Sequence, residues 1–159
     1  MPTRKSQFAL WLLALVTLLT LSACDDNTIY SHYESTPLAG WERGDTLHFK
    51  NIVVKATTDY KEEIGLRIND SFPFMSLFLV VEQHVRPRHV VRMDTLSCRL
   101  VDKDGHVKGR GLSFYQYNFH LTTLQLQAGD TLDISVRHNM KRESLPGIAN
   151  VGMTISRNK

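Results

Sequence analysis

Between Leu47 and Arg157 the chain repeatedly alternates apolar and polar residues with a period of two. That is the pattern of strands with one face in a core and the other in water. In "EIGLRIN", Ile64, Leu66 and Ile68 share one face, with Glu63, Arg67 and Asn69 on the other. "DTLDISVRH" turns Leu132, Ile134 and Val136 inward, and "VGMTISR" does the same with Val151, Met153 and Ile155. "DTLHF" contributes Leu47 and Phe49. "MSLFLVVE" is apolar on both faces, which predicts a central strand covered on both sides. Asp104-Gly105 in "DKDGHV" lies between strand-like runs and predicts a hairpin turn. No stretch of this region sustains a helical period. The expected fold is all-β, a β-sandwich of jelly-roll or immunoglobulin-like type, with a closed barrel as the alternative that alternation cannot separate. Charged outward faces argue against an outer-membrane barrel.

The N-terminus obeys a different rule. Arg4 and Lys5 form a positive head, and residues 8–21 carry no charge. The run is shorter than the ~20 residues of a membrane-crossing helix, and small residues stand at its exit, as in a secretory signal peptide. The run ends in Leu21-Ser22-Ala23-Cys24, which resembles the lipobox of bacterial lipoproteins. That resemblance implies a diacylglycerol on the Cys24 thiol and cleavage before it. The expected organisation is therefore a signal peptide over 1–23, a lipidated tether over 24–40 and a β-sandwich domain over 41–159. Pro37, Gly40 and the polar run after Cys24 suggest the tether, with Tyr30 and Tyr33 able to dock it on the domain.

Cleavage changes the charge balance. Losing Arg4 and Lys5 takes 19 basic residues to 17, against 16 acids. A near-neutral chain without a basic run interleaved with aromatics is not a nucleic-acid binder. Of the two cysteines, Cys98 is left without a partner once Cys24 carries lipid; in "LSCRLV" it reads as a small core residue.

Candidate chemistry is sparse. The seven histidines (His32, His48, His84, His89, His106, His120 and His138) show no zinc-type spacing. "DKDG" lacks the later acidic ligand of a calcium loop. No metal and no cofactor is expected. No G-x-S-x-G, H-E-x-x-H or P-loop occurs, and the chain is expected not to be an enzyme. A hydrolase with a dispersed site is the third reading. Trp41, Tyr115 and Tyr117 are candidate ligand-binding aromatics for the second reading, a surface glycan-binding sandwich. "FYQYNF" puts Tyr115, Tyr117 and Phe119 on one face, more often core than platform. Phe72 and Phe74 are expected to grip the core beside Pro73.

Several segments appear in a telling order: the lipobox, "GWERGDTLHF", "FPFMSLFLVVE", "DTLSCRLVDKDG" with "KGRG", and "AGDTLDISVRHNMKRESLPGIANVGMTI". Together they resemble the gliding-motility lipoprotein type H family of Bacteroidetes (GldH-like). The resemblance implies a lipid-anchored, non-enzymatic cell-envelope component, held to the membrane by its lipid. Its partners would be envelope proteins of a gliding apparatus or of the linked type IX secretion machinery. The outer membrane is the expected location, with palmitate-type acyl chains on Cys24. The triplet Asp-Thr-Leu recurs at 45–47, 94–96 and 130–132. It reads first as turn chemistry. It also resembles the O-glycosylation signal of exported Bacteroidetes proteins, with Thr46 and Thr131 preferred and Thr95 third.

Overall fold

The computed structural model describes residues 27–158; the signal peptide, Cys24 and Lys159 lie outside the described residues. Ten strands follow in order: β1 (Thr28–Ser35), β2 (Trp41–Glu42), β3 (Leu47–Val53), β4 (Thr58–Ile68), β5 (Ser76–Arg86), β6 (Val90–Arg99), β7 (Tyr115–Leu126), β8 (Thr131–His138), β9 (Ser144–Leu145) and β10 (Ile148–Arg157). Eight of them build two antiparallel sheets, ordered β1-β10-β4-β7 and β3-β8-β5-β6, and β2 pairs with β9 as a short ribbon. Among these eight, only the β5–β6 connection stays within one sheet; every other connection crosses between them. This is the jelly-roll arrangement of two packed sheets. The sheets do not close on each other: β1, β7, β3 and β6 are edges.

The core follows the alternation. Ile64 and Leu66 of β4, Leu132 and Val136 of β8, and Val151, Met153 and Ile155 of β10 are fully buried. Each such side chain contributes about 1.5–3 kcal/mol by leaving water. Cys98 is buried among them as a free thiol, and burial pushes its pKa up to about 12. Strand β5 is central as expected and buries Leu77, Leu79 and Val81. Its outer face is only partly covered. Val80 is buried, but Phe78 is 42% exposed, so the expectation of cover on both sides fails there.

The stretch expected as tether differs most. From Thr28 it is an edge strand, paired with β10 from Thr28↔Ser156 to Ser35↔Asn150. On the inner side the Tyr30 and His32 rings meet Phe49 edge-on at 6.5 and 6.4 Å. On the outer side Tyr33 lies over Gly65 and Gly152, where any Cβ would collide with its ring. The Arg67 guanidinium sits 4.5 Å from that ring. Two glycines thus make a trough that fastens the first strand to the sheet.

The register also defines two ends. Thr28, Arg157, Thr58 and Leu126 lie at one, because Thr28 pairs with Ser156, Arg157 with Tyr60, and Thr58 with Leu126. Ser35, Ile68 and Tyr115 lie at the other. Ten residue steps along β7, from Gln116 to Leu126, separate the ends by about 34 Å.

One polar pair bridges the sheets inside the core. Glu62 of β4 and Gln83 of β5 are both fully buried. The Gln83 amide donates to Glu62 Oε2 at 2.8 Å. Glu62 Oε1 and Gln83 Oε1 have no hydrogen-bond partner among the described residues. A protonated carboxyl has an O–H to donate, where the ionised form can only accept. Burial, first, and then the charge of Asp94 raise the Glu62 pKa from 4.5 to about 7; the Gln83 bond and Arg92 oppose this. The folded state therefore holds the proton where the unfolded chain releases it. The pair's contribution is complete below pH 4.5 and lost as pH rises through about 7. The shift corresponds to roughly 3 kcal/mol. Glu62→Gln, which never ionises, is expected to remove this component, so that urea midpoints at pH 5.5 and pH 8 converge relative to wild type. An unchanged difference between the two pH values would contradict a buried, protonated Glu62.

Candidate functional site: a cationic cleft between β6 and β7

After β6 the chain makes two tight reversals before entering β7. In the first, Val101 bridges Val107, and Gly105 takes φ +86° at the expected Asp-Gly turn. Asp102 Oδ1 accepts the backbone N–H of Asp104 at 2.8 Å and of His106 at 2.9 Å. These bonds, led by that of His106, hold the Asp102 pKa below its ordinary value. Asp102, Asp104 and His106 have side-chain ligand atoms within 4.8 Å of one another, but the Asp102 carboxylate already serves the turn.

Lys108 closes this first reversal by donating its N–H to the Leu100 carbonyl at 2.9 Å; in the second, Arg110 exchanges both backbone bonds with Gln116 at 3.1 and 2.8 Å. Gly109 makes this possible. A Cβ there would stand 2.6 Å from Tyr117 Cζ and 2.7 Å from Tyr115 Cβ. Only a glycine lies this close to the Tyr117 ring and the Tyr115 Cβ, leaving Lys108 and Arg110 on either side of it.

The result is a cleft of about 600 Å³ where the edges of the two sheets face each other. Arg99, at the end of β6, Lys108 and Arg110 line it together with residues 116–119 of β7. All three cations are exposed. Among the described residues none of the three makes an ion pair, whereas Arg43, Lys61, Arg86, Arg88 and Arg92 each sit within 3.6 Å of a carboxylate. Like charges collected without counterions favour binding of an anion. Among the described residues no carboxylate, thiol or histidine lines the cleft.

The aromatics proposed from sequence sit otherwise. Trp41 is fully buried. Its Nε1 donates to the Asp45 carbonyl at 3.0 Å, and its ring meets His138 edge-on at 5.3 Å. It has no free face for a ligand, which corrects its place among the candidate binding residues. His138 is fully buried, and burial lowers its pKa. The neutral ring donates from Nε2 to the Trp41 carbonyl and accepts the Met140 N–H at Nδ1. Tyr117 reaches the cleft, but only 7% of it is exposed, and it stacks near-parallel on Phe119 at 6.1 Å. Tyr115 is half-buried. Phe72 and Phe74 pack against the core as expected and touch edge-on at 5.5 Å.

The three Asp-Thr-Leu triplets part company. Thr46 and Thr131 are half-buried, Thr131 at the start of a central strand, while Thr95 is exposed on edge strand β6. Asp130 is buried and takes two bonds from the Arg88 guanidinium, at 3.0 and 2.5 Å, plus the Gln127 N–H at 2.8 Å. The Arg88 bonds hold its carboxyl below the usual range. His84 and His89 border one shallow hollow beside Arg86 and Asp133, and His84 Nε2 is 2.6 Å from Glu82.

The GldH lipoprotein family model matches residues 28–155, nearly the whole described chain. The chain belongs to the GldH lipoprotein family. The match begins at the first residue of β1, so the GldH unit includes the strand that sequence reading left in the tether. A gliding motility lipoprotein GldH from Flavobacterium johnsoniae is 26% identical, over 89% of this chain and 92% of its own. A gliding motility lipoprotein GldH homolog from Christiangramia forsetii is 23% identical, over 96% and 98%. Among solved structures, a family 35 carbohydrate-binding module from Clostridium thermocellum aligns with TM-score 0.41 and 12% identity, over 79% of this chain and 87% of its own. An Eiger TNF from S. frugiperda aligns at 0.33.

Gly109→Val should lift the 108–110 segment off Tyr115 and Tyr117. The expected readout is loss of hydrogen-exchange protection at the Arg110 and Gln116 amides, with a stability cost of about 1–3 kcal/mol. Retained protection at both amides would show that the segment does not depend on this close approach.

Proposed function

We propose that this chain is a lipid-anchored, non-enzymatic component of the cell envelope that serves gliding motility or the type IX secretion machinery linked to it. The observation that carries the reading is the GldH family match over residues 28–155, with two named gliding-motility relatives aligned over nearly their full length. The anchor is Cys24, bearing a diacylglycerol thioether and an acylated amine. One acyl chain holds a protein weakly, while each buried CH₂ adds about 0.8 kcal/mol, so two or three chains hold it stably. Among the described residues no helix is long and apolar enough to cross a membrane. The outer membrane is the location we assign.

The short distance from anchor to fold supports a structural role. Cys24 stands four residues before β1, a reach of about 14 Å. The sandwich is therefore held close to the bilayer by its Thr28 end. A site lined by cations and amides rather than by a nucleophile and base supports binding over catalysis. Confinement at a membrane raises the effective concentration of any partner there.

Gentle crosslinking of intact cells, followed by detergent extraction and affinity recovery of the chain, tests this role. Envelope proteins of a gliding or secretion assembly are expected in the recovered complexes. Recovery of the chain alone, at crosslinker levels that capture other envelope complexes, would contradict it.

A further inference from the structure

We propose that the cleft between β6 and β7 binds an extended, acidic segment of a partner protein, which adds as a strand to the open edge of β7 while Arg99, Lys108 and Arg110 hold its carboxylates. This deepens the interaction role above and rests on it for the partner being an envelope protein.

The backbone makes the first half of the case. Gln116 turns its N–H and C=O toward the outer edge, where Arg110 takes both. In an antiparallel strand every second residue points the same way. Asn118 and His120, which face Gly65 and Glu63 in the same register phase, therefore also present N–H and C=O outward. The antiparallel continuation from Arg110 would bring Lys108 opposite Asn118. Lys108 turns away instead and donates to Leu100. The short pairing started by Arg110 is thus cut off, and the edge beyond it is left for another chain. Strand addition at such an edge takes its affinity from main-chain bonds and its selectivity from flanking side chains.

Charge makes the second half. The three cations meet at this edge without a carboxylate partner among the described residues, while five other cations are paired. Two are arginines, whose planar forks suit carboxylates. Side chains on a peptide strand would alternate toward and away from them, so alternating acids fit best.

A polyanionic sugar fits less well. The Tyr117 ring is almost wholly buried beneath Gly109 and offers no stacking face. The Gln116 amide is already donated to the Tyr33 hydroxyl at 3.3 Å. Position agrees with a protein partner. The cleft lies at the Tyr115 end of β7, whereas the anchor leads into the Thr28 end. The site faces away from the bilayer.

The test uses the mature lipoprotein in detergent micelles and a fluorescein-labelled octapeptide of alternating threonine and glutamate, followed by fluorescence anisotropy. The peptide is expected to bind, and the glutamine version to bind at least tenfold more weakly. The triple variant Arg99→Gln, Lys108→Gln, Arg110→Gln is expected to lose about tenfold. These residues are exposed, so the fold should survive, which circular dichroism checks. A glutamate peptide N-methylated at alternate backbone amides keeps its charge but loses its donors, and should bind at least tenfold more weakly. Equal binding by the triple variant would overturn the charge assignment, and equal binding of the methylated peptide would overturn strand addition. Binding of fluorescein-labelled polygalacturonate without any binding of the peptide would make the ligand a sugar. Failure of the peptide to bind, with envelope crosslinks intact in cells, would remove this site and leave the interaction role standing. Failure of both would remove both.

Discussion

Each long strand of this protein has one face that water must not reach. Eight strands in two sheets satisfy that demand by covering each other, and everything else in the molecule is arranged around the requirement. The inward residues of β4, β8 and β10 are apolar in alternation apart from Glu62 and His138. Burial is non-directional, however, and does not by itself fix the relative position of two sheets. The Glu62–Gln83 pair adds a directional bond across that interface. A buried polar pair of this kind costs desolvation and is tolerated only where its partners meet.

Packing two open sheets leaves four edges, and the two long sides of the sandwich are unlike. On the β1–β3 side, the Tyr30, His32 and Phe49 rings close the gap between sheets. On the β6–β7 side, the gap stays open as the cleft and is lined with positive charge. Charge on an exposed edge discourages pairing between copies of the same chain. The same charge admits a strand of opposite sign.

Much of this was legible from residue order. The strands of β4, β8 and β10 and the Asp104-Gly105 turn follow from alternation and turn chemistry. Strand β1 was not legible, because aromatic Tyr30 and His32 fill its inward positions and an irregularity between Thr28 and Tyr30 breaks the period. Glu62 carried a readable signal: it is in phase with Tyr60, Ile64 and Leu66, as Gln83 is with Leu79 and Val81. A polar residue in the inward register of each of two strands marks a paired core position. The cleft was hidden for another reason. Arg99 and Arg110 are far from forming a basic run. Topology alone brings them to one edge, and the flanking glycines of "KGRG" hint only that the backbone is tightly folded there. Trp41 shows the converse, since an aromatic at a domain entrance reads the same whether it ends in the core or on the surface.

The proposed order in space puts the anchor before the Thr28 end of a sandwich about 34 Å long, with the open charged edge toward the other end. That order depends on Cys24. Trypsin releases residues 24–43 as one peptide, since no lysine or arginine lies between Cys24 and Arg43. Mass spectrometry of this peptide from native cells is the most direct test. The account predicts a new N-terminus at Cys24 with the mass of a diacylglyceryl group and an added acyl chain; an unmodified cysteine, or a chain that still begins at Met1, would contradict it.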